Sequence, residues 1–189
     1  MPYDPKIHRR RSIRLAGYDY TQCGAYFVTL NAREHGSIFG EVIEGAVRLS
    51  PIGEIVSHCW LNLANLFAIQ LDAWVIMPDH LHGVIFLRGK DEAAGGRAPY
   101  EGMVSSPAAS PLRPHGTSSE SLGAVVQNFK SVTTRKINRL RGMSGGQVWQ
   151  RNYYEHIVRN ERELNAIRRY IDDNPCNWAL DRENPKRIP

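Results

Sequence analysis

The sequence predicts an α+β domain in which helices cover an antiparallel sheet. Three observations carry that expectation. The segments run in the order strand, hairpin, helix, two strands, helix, strand, helix; the two central strands follow one another across a short Pro-Asp turn; and the helical segments carry apolar residues along one face.

Taken in order, 25–31 (AYFVTLN) is rich in β-formers and reads as a strand. A hairpin-like stretch follows, punctuated by Gly36, Gly40 and Gly45, with Val42, Ile43, Val47 and Leu49 as its apolar positions. Ser50-Pro51 opens a helix, serine as N-cap and proline at the first helical position. Ile52, Ile55, Val56, Cys59, Leu63 and Leu66 give that helix one buried face. Two strands, 69–77 and 81–87, meet at Pro78-Asp79. From Gly89 to about Ser119 the chain is Gly, Pro, Ala and Ser with almost no large apolar residues, which predicts a disordered insertion within one domain. Order resumes at 121–140, where Leu122, Val125, Val126, Phe129, Ile137 and Leu140 form a helical stripe that stops at Gly142. A short strand is expected at 147–150 and an extended piece at 153–158. The last helix starts at Asn160 with Glu163 three residues on, a capping-box pattern, and is expected to end near Asp173, before Pro175. This order of elements suits a ferredoxin-like core.

The 189 residues favour one domain, with a basic segment over 1–20. No apolar run approaches the ~18 residues of a membrane span, and MPYDPKIHRRRSIR has no apolar stretch behind its charge, so neither a membrane protein nor a secretory leader is expected. Cys23, Cys59 and Cys176 are scattered and odd in number; they suit a reducing cytoplasm and exclude a disulfide framework or a cysteine zinc site. The net charge of +5 and pI near 9.3 suit a polyanionic partner. The charge gathers at Arg9, Arg10, Arg11 and Arg14, beside Tyr3, Tyr18 and Tyr20, and again at Lys130, Arg135, Lys136, Arg139 and Arg141. Each group is equally well explained as a solvated basic face.

AWVIMPDHLHGVIFL is the most informative stretch. Strand alternation puts His80 and His82 on one face and Leu81 on the other, so that two imidazoles project together as a metal platform. An HxH pair by itself is as well read as a polar strand face; its position beside Pro78-Asp79, leading into an apolar strand, favours a site at a sheet edge. In the last helix Leu164, Ile167 and Ile171 form the core face, while Tyr170 and Asn174 are four apart and share another. A tyrosine hydroxyl, with a reference pKa of about 10, needs a neighbouring cation to act as a nucleophile. Spacing alone does not choose Tyr170 over Tyr153 or Tyr154, and a half-buried core aromatic is the plain alternative.

The set WVIMPDHLHG, FKSVTTRKIN, VWQRNYYEHIVRN and RYIDDNP, in that order, resembles the REP-associated tyrosine transposases, a branch of the single-tyrosine HUH transposases. The resemblance spans nearly the whole chain outside about 89–119 and implies the HUH endonuclease fold. It further implies His80, His82 and Asn174 as metal ligands, Mg²⁺ or Mn²⁺ as the cofactor, and Tyr170 as the nucleophile. Tyr153 and Tyr154 fall in the family's extended segment before that helix. The implied reaction is cleavage of single-stranded DNA to a 5′-phosphotyrosine link and a free 3′-OH, then rejoining, on hairpins formed by palindromic repeats. Lys130, Arg135, Lys136 and the N-terminal arginines become candidate DNA contacts. The resemblance is compatible with a monomer or a homodimer.

Two other functions fit parts of the pattern. A histidine-triad nucleotide hydrolase needs a third alternating histidine, and position 84 is Val84. A domesticated DNA-binding protein would keep the fold without cutting; intact His80, His82 and Tyr170 argue for the enzyme.

Overall fold

The computed structural model describes residues 18–34, 36–88 and 120–180; the N-terminal arginines and the expected insertion at about 89–119 lie outside them. The elements are β1 (Gly24–Asn31), β2 (Gly40–Ile43), β3 (Ala46–Leu49), α1 (Pro51–Leu61), α2 (Leu63–Leu66), β4 (Ile69–Ile76), β5 (His80–Leu87), α3 (Leu122–Leu140), β6 (Tyr154–Val158) and α4 (Glu161–Asn177), followed by a 3-10 turn over Trp178–Leu180. β2 and β3 form a separate hairpin whose two-residue turn, Glu44 and Gly45, has both φ angles positive, as the right-handed strand twist requires.

The remaining strands form one antiparallel sheet in the order β4-β5-β1-β6. With the hairpin set aside, strand, helix, two strands, helix, strand wind so that the first and third strands lie in the middle, which is the ferredoxin-like arrangement. β1 is buried on both faces, and alternation divides its side chains between two layers. Tyr26, Val28 and Leu30, with Leu81 and Ile85 of β5, meet Val56 and Trp60 of α1 and Val125 and Phe129 of α3. Gly83 belongs to this face too: a Cβ there would sit 2.4 Å from the Trp60 ring, so the glycine makes room for the indole. Ala25, Phe27, Val84, Phe86 and Val158 face the other way and are covered by Leu164 and Ile171 of α4. Among the described residues α1, α3 and the short α2, through Leu63, thus cover one face, and α4 covers the other.

Side-chain caps set the helix starts as expected. The Ser50 hydroxyl accepts from Gly53 N at 3.1 Å, Ser121 caps α3, and Asn160 accepts from Glu163 N at 2.9 Å while Glu163 returns to Arg159 N at 2.7 Å. Tyr18 and Tyr20, grouped in sequence with the basic lead, are half-buried and pack around Tyr26.

Four expectations change. The stripe after Ser50 is broken at Asn62, and Leu66 is exposed, as is Leu140 at the end of α3. The segment 147–150 is no strand: it meets β1's extension through one bridge, Ala32 to Trp149, and Val148 and Trp149 are buried in succession without alternation. Conversely, 154–158 is a full sheet member. Lastly, α4 runs through Pro175 to Asn177. Proline removes one i→i−4 donor, but the continued turn is held from both sides: Asn177 Nδ2 donates to Asp173 O at 3.1 Å, and the Trp178 ring is buried beside His80.

Candidate active site

α4 leaves uncovered the end of the sheet where β5 begins. There Phe27, Thr29, Asn31, His80, His82, Tyr154 and Tyr170 line an open pocket of about 310 Å³. The register explains the grouping. Asn31 pairs with His80, and Thr29 pairs with His82 on one side and Tyr154 on the other, so all five project from one sheet face.

Both histidines are buried, with 3% and 5% of their surface exposed, and each is held through Nδ1. His80 Nδ1 lies 2.7 Å from Asp79 Oδ1. A carboxylate only accepts, so this nitrogen carries a proton, which makes Nε2 the atom that can serve as a metal ligand. Nε2 of His80 is buried and has no hydrogen-bond partner. His82 Nδ1 is 2.9 Å from Thr29 Oγ1, and its Nε2 is 3.3 Å from the Tyr170 hydroxyl. Hydroxyls can donate or accept, so both neutral tautomers satisfy these contacts; a metal ligand requires the one with Nδ1–H donating to Thr29 and the Tyr170 O–H donating to Nε2. Burial first, and the adjacent His80 second, push the His82 imidazole down to about 3, so the ring is neutral near pH 7. The two imidazole rings lie side by side, their centroids 4.5 Å apart.

Tyr170 is half exposed and stands edge-on to Phe27, its ring 5.2 Å from that of His82. One turn later Asn174 is buried, and its Oδ1 has no partner. Asn174 does not line the pocket itself. It lies on α4 between Tyr170, which touches His82, and Trp178, which packs against His80. Among the described residues no three His, Cys, Asp and Glu side chains gather to hold a metal. The donors on offer are two imidazoles and an amide. His80 Nε2 and Asn174 Oδ1 are buried without a hydrogen-bond partner, and nitrogen and amide oxygen donors of this kind fit a divalent ion.

Sequence reasoning missed Thr29 and Asp79, the groups that orient the rings. Asp79 could have been found as a carboxylate next to a candidate ligand; Thr29 could not, because it depends on the β1–β5 register. Of the predicted DNA contacts, Arg9, Arg10, Arg11 and Arg14 lie outside the described residues. Lys130 and Arg135 line a second groove of about 650 Å³ with Arg33, Gln147 and Arg151. Lys130 is tied down there, donating to Gln150 O at 2.9 Å and Asn152 O at 3.0 Å. Lys136 turns away towards Cys59 of α1.

The fold is similar to that of the REP-associated tyrosine transposase whose structure was solved bound to a REP hairpin. The likeness covers 85% of this chain and 71% of that one, with a TM-score of 0.55 and 18% identity. The chain belongs to one family with an uncharacterized protein of Haemophilus influenzae, 37% identical over 180 residues that make up 95% of each. No family model matches the sequence. The resemblance read from the motifs therefore holds at the level of the fold. No helix among the described residues is long and apolar enough to cross a membrane.

Proposed function

We propose that this protein is a tyrosine transposase of the HUH type, which cuts and rejoins single-stranded DNA beside a hairpin. The observation that carries the reading is the contact of the Tyr170 hydroxyl with His82 Nε2 at 3.3 Å, at the mouth of a pocket with two oriented imidazoles. A half-exposed hydroxyl on a helix, beside two buried imidazoles, suits attack on a phosphate brought from solvent.

His80, His82 and Asn174 would hold Mg²⁺ or Mn²⁺. When bound, such an ion polarises a phosphate oxygen and favours the phenolate. The protein's own groups do the rest. Asp79 and Thr29 orient the two rings through Nδ1, so that Nε2 is the ligating atom of each, and Phe27 packs edge-on against the Tyr170 ring. The Tyr170 oxygen bonds to phosphorus as the phenol proton is lost and the P–O3′ bond breaks, leaving a 5′-phosphotyrosine and a 3′-OH. The reverse step with another 3′-OH joins strands. The hairpin in the related structure, and the cationic groove of Arg33, Lys130, Arg135 and Arg151, support DNA with a folded arm as the substrate. The rival hydrolase loses ground further: Val84, at the position a third histidine would need, is fully buried in the apolar layer under α4.

Tyr170→Phe removes only the hydroxyl. It should fold, bind a hairpin oligonucleotide as the wild type does, and form no covalent protein–DNA adduct on a denaturing gel. If Tyr170→Phe still forms the adduct, and Tyr153→Phe or Tyr154→Phe does not, the nucleophile is wrongly assigned.

A further inference from the structure

A second recess opens on the far side of Tyr170. Phe27, Tyr154, His156, Glu163, Ala166, Ile167 and Tyr170 enclose about 300 Å³ between the edge strand β6 and α4. Phe27, Tyr154 and Tyr170 line both this recess and the pocket with the histidines, so the two are continuous around the Tyr170 ring. The recess exists because α4 buries its Leu164–Ile171 face over the middle of the sheet and is drawn towards β4 by the Arg168–Asp72 ion pair at 2.7 Å. The edge positions Tyr154 and His156 are left beside the helix, not beneath it.

We propose that this recess receives one unstacked base of the DNA strand next to the attacked phosphate, with Tyr154 as the stacking platform. The inference rests on the reading of Tyr170 as the nucleophile. Tyr154 is half exposed at a sheet edge, where an aromatic ring otherwise leaves apolar surface in water. It makes a T-shaped contact with Phe27, centroids 6.2 Å apart at 68°, which holds the ring in place while half of its surface stays exposed. The walls are aromatic and aliphatic, as base stacking requires. The polar rim is self-satisfied: His156 Nε2 pairs with Glu163 Oε1 at 2.7 Å, and Glu163 Oε2 accepts from Arg159 N at 2.7 Å. With those groups engaged, the subsite should hold any base by its face and not read its identity. A strand seated with one base here has its neighbouring phosphate at the Tyr170 hydroxyl. Tyr154 is thus a positioning residue.

The probe is a DNA hairpin with a short single-stranded arm, carrying 2-aminopurine at each arm position in turn, in buffer without divalent ions so that binding is read apart from cleavage. Wild type and Tyr154→Phe should quench the probe at one arm position, and Tyr154→Ala should lose that quench. Tyr154→Ala should also bind the arm on the order of tenfold more weakly. An abasic site at that position should erase the difference between the proteins, and exchanging the base there should not. Unchanged melting temperatures show that the variants are folded. Quenching that persists in Tyr154→Ala, or affinity that depends on base identity at that position, overturns the subsite while leaving the transposase reading intact. Failure of the wild type to bind the hairpin at all overturns both.

Discussion

His80 and His82 are matched at Nε2 but differ in what holds them, and that difference can be measured. Asp79 accepts from His80 with a carboxylate, a charge-assisted bond that also raises the basicity of the ligating nitrogen; Thr29 meets His82 with a neutral hydroxyl. Asp79→Asn should therefore weaken Mn²⁺ binding by roughly 10–100-fold in calorimetry, the usual cost of losing an outer partner. Asn174→Ala exchanges one neutral oxygen for water, so cleavage should recover in part as metal is raised. His80→Ala/His82→Ala should restore nothing at any practical concentration. Wild-type Mn²⁺ affinity in Asn174→Ala removes the amide from the ligand set, and cutting by the double-histidine variant removes the metal from the mechanism. The histidine pair was legible in the sequence because strand alternation is a local property. Its partners were legible only where they too are local, as Asp79 is.

At the scale of elements, α4 matters most because it carries Tyr170 and Asn174 across the sheet. Its start is fixed by a reciprocal cap, Asn160 to Glu163 N and Glu163 to Arg159 N. Asn160→Ala should cost about 1 kcal/mol, a fall in melting temperature of roughly 2–4 °C for a chain of this size. An unchanged melting temperature would mean that packing of Leu164 and Ile171 alone sets the helix. The cap also has a pH signature. The Glu163 carboxyl is lowered, chiefly by the Arg159 backbone N–H and further by His156, against a smaller opposing effect of burial. A depressed folded-state pKa gives stability that is complete above the unfolded value and is lost as pH falls through the folded one. Glu163→Gln should flatten that acid limb of the stability curve. The cap was readable from Asn160 and Glu163 alone. The far end was not: a proline at 175 argues locally for a stop, and only the burial of Trp178 beside His80 explains why the helix goes on.

At the scale of the whole molecule, the cationic groove is a product of topology. Arg33 leaves the end of β1, Arg135 projects from α3, and Arg151 follows the segment tethered to β1 by Arg33 N–Val148 O and Gln150 N–Asn31 O bonds. These three are remote in sequence, which is why the sequence offered Arg135 within the run along α3, beside the separate N-terminal arginine cluster, but not Arg33 or Arg151. If the groove holds DNA backbone, Arg33→Ala/Arg135→Ala/Arg151→Ala should weaken hairpin binding at any sequence. It should also flatten the dependence on salt, because each phosphate released takes roughly 0.7–0.9 from the log–log slope. Lys130 allows a sharper test. Burial pulls its ammonium down to about 8, although it donates to the Gln150 and Asn152 carbonyls and lies 5.4 Å from the centre of the Tyr153 ring, with Arg135 also lining the groove. Wild-type affinity should therefore fall as pH rises through about 8, where that charge is lost. A guanidinium stays charged across this range, so Lys130→Arg should remove the step while keeping the salt slope. An affinity flat in pH for both proteins, with an unchanged salt slope in the triple arginine variant, would take the groove out of the DNA path and leave the active-site face to bind the hairpin by itself.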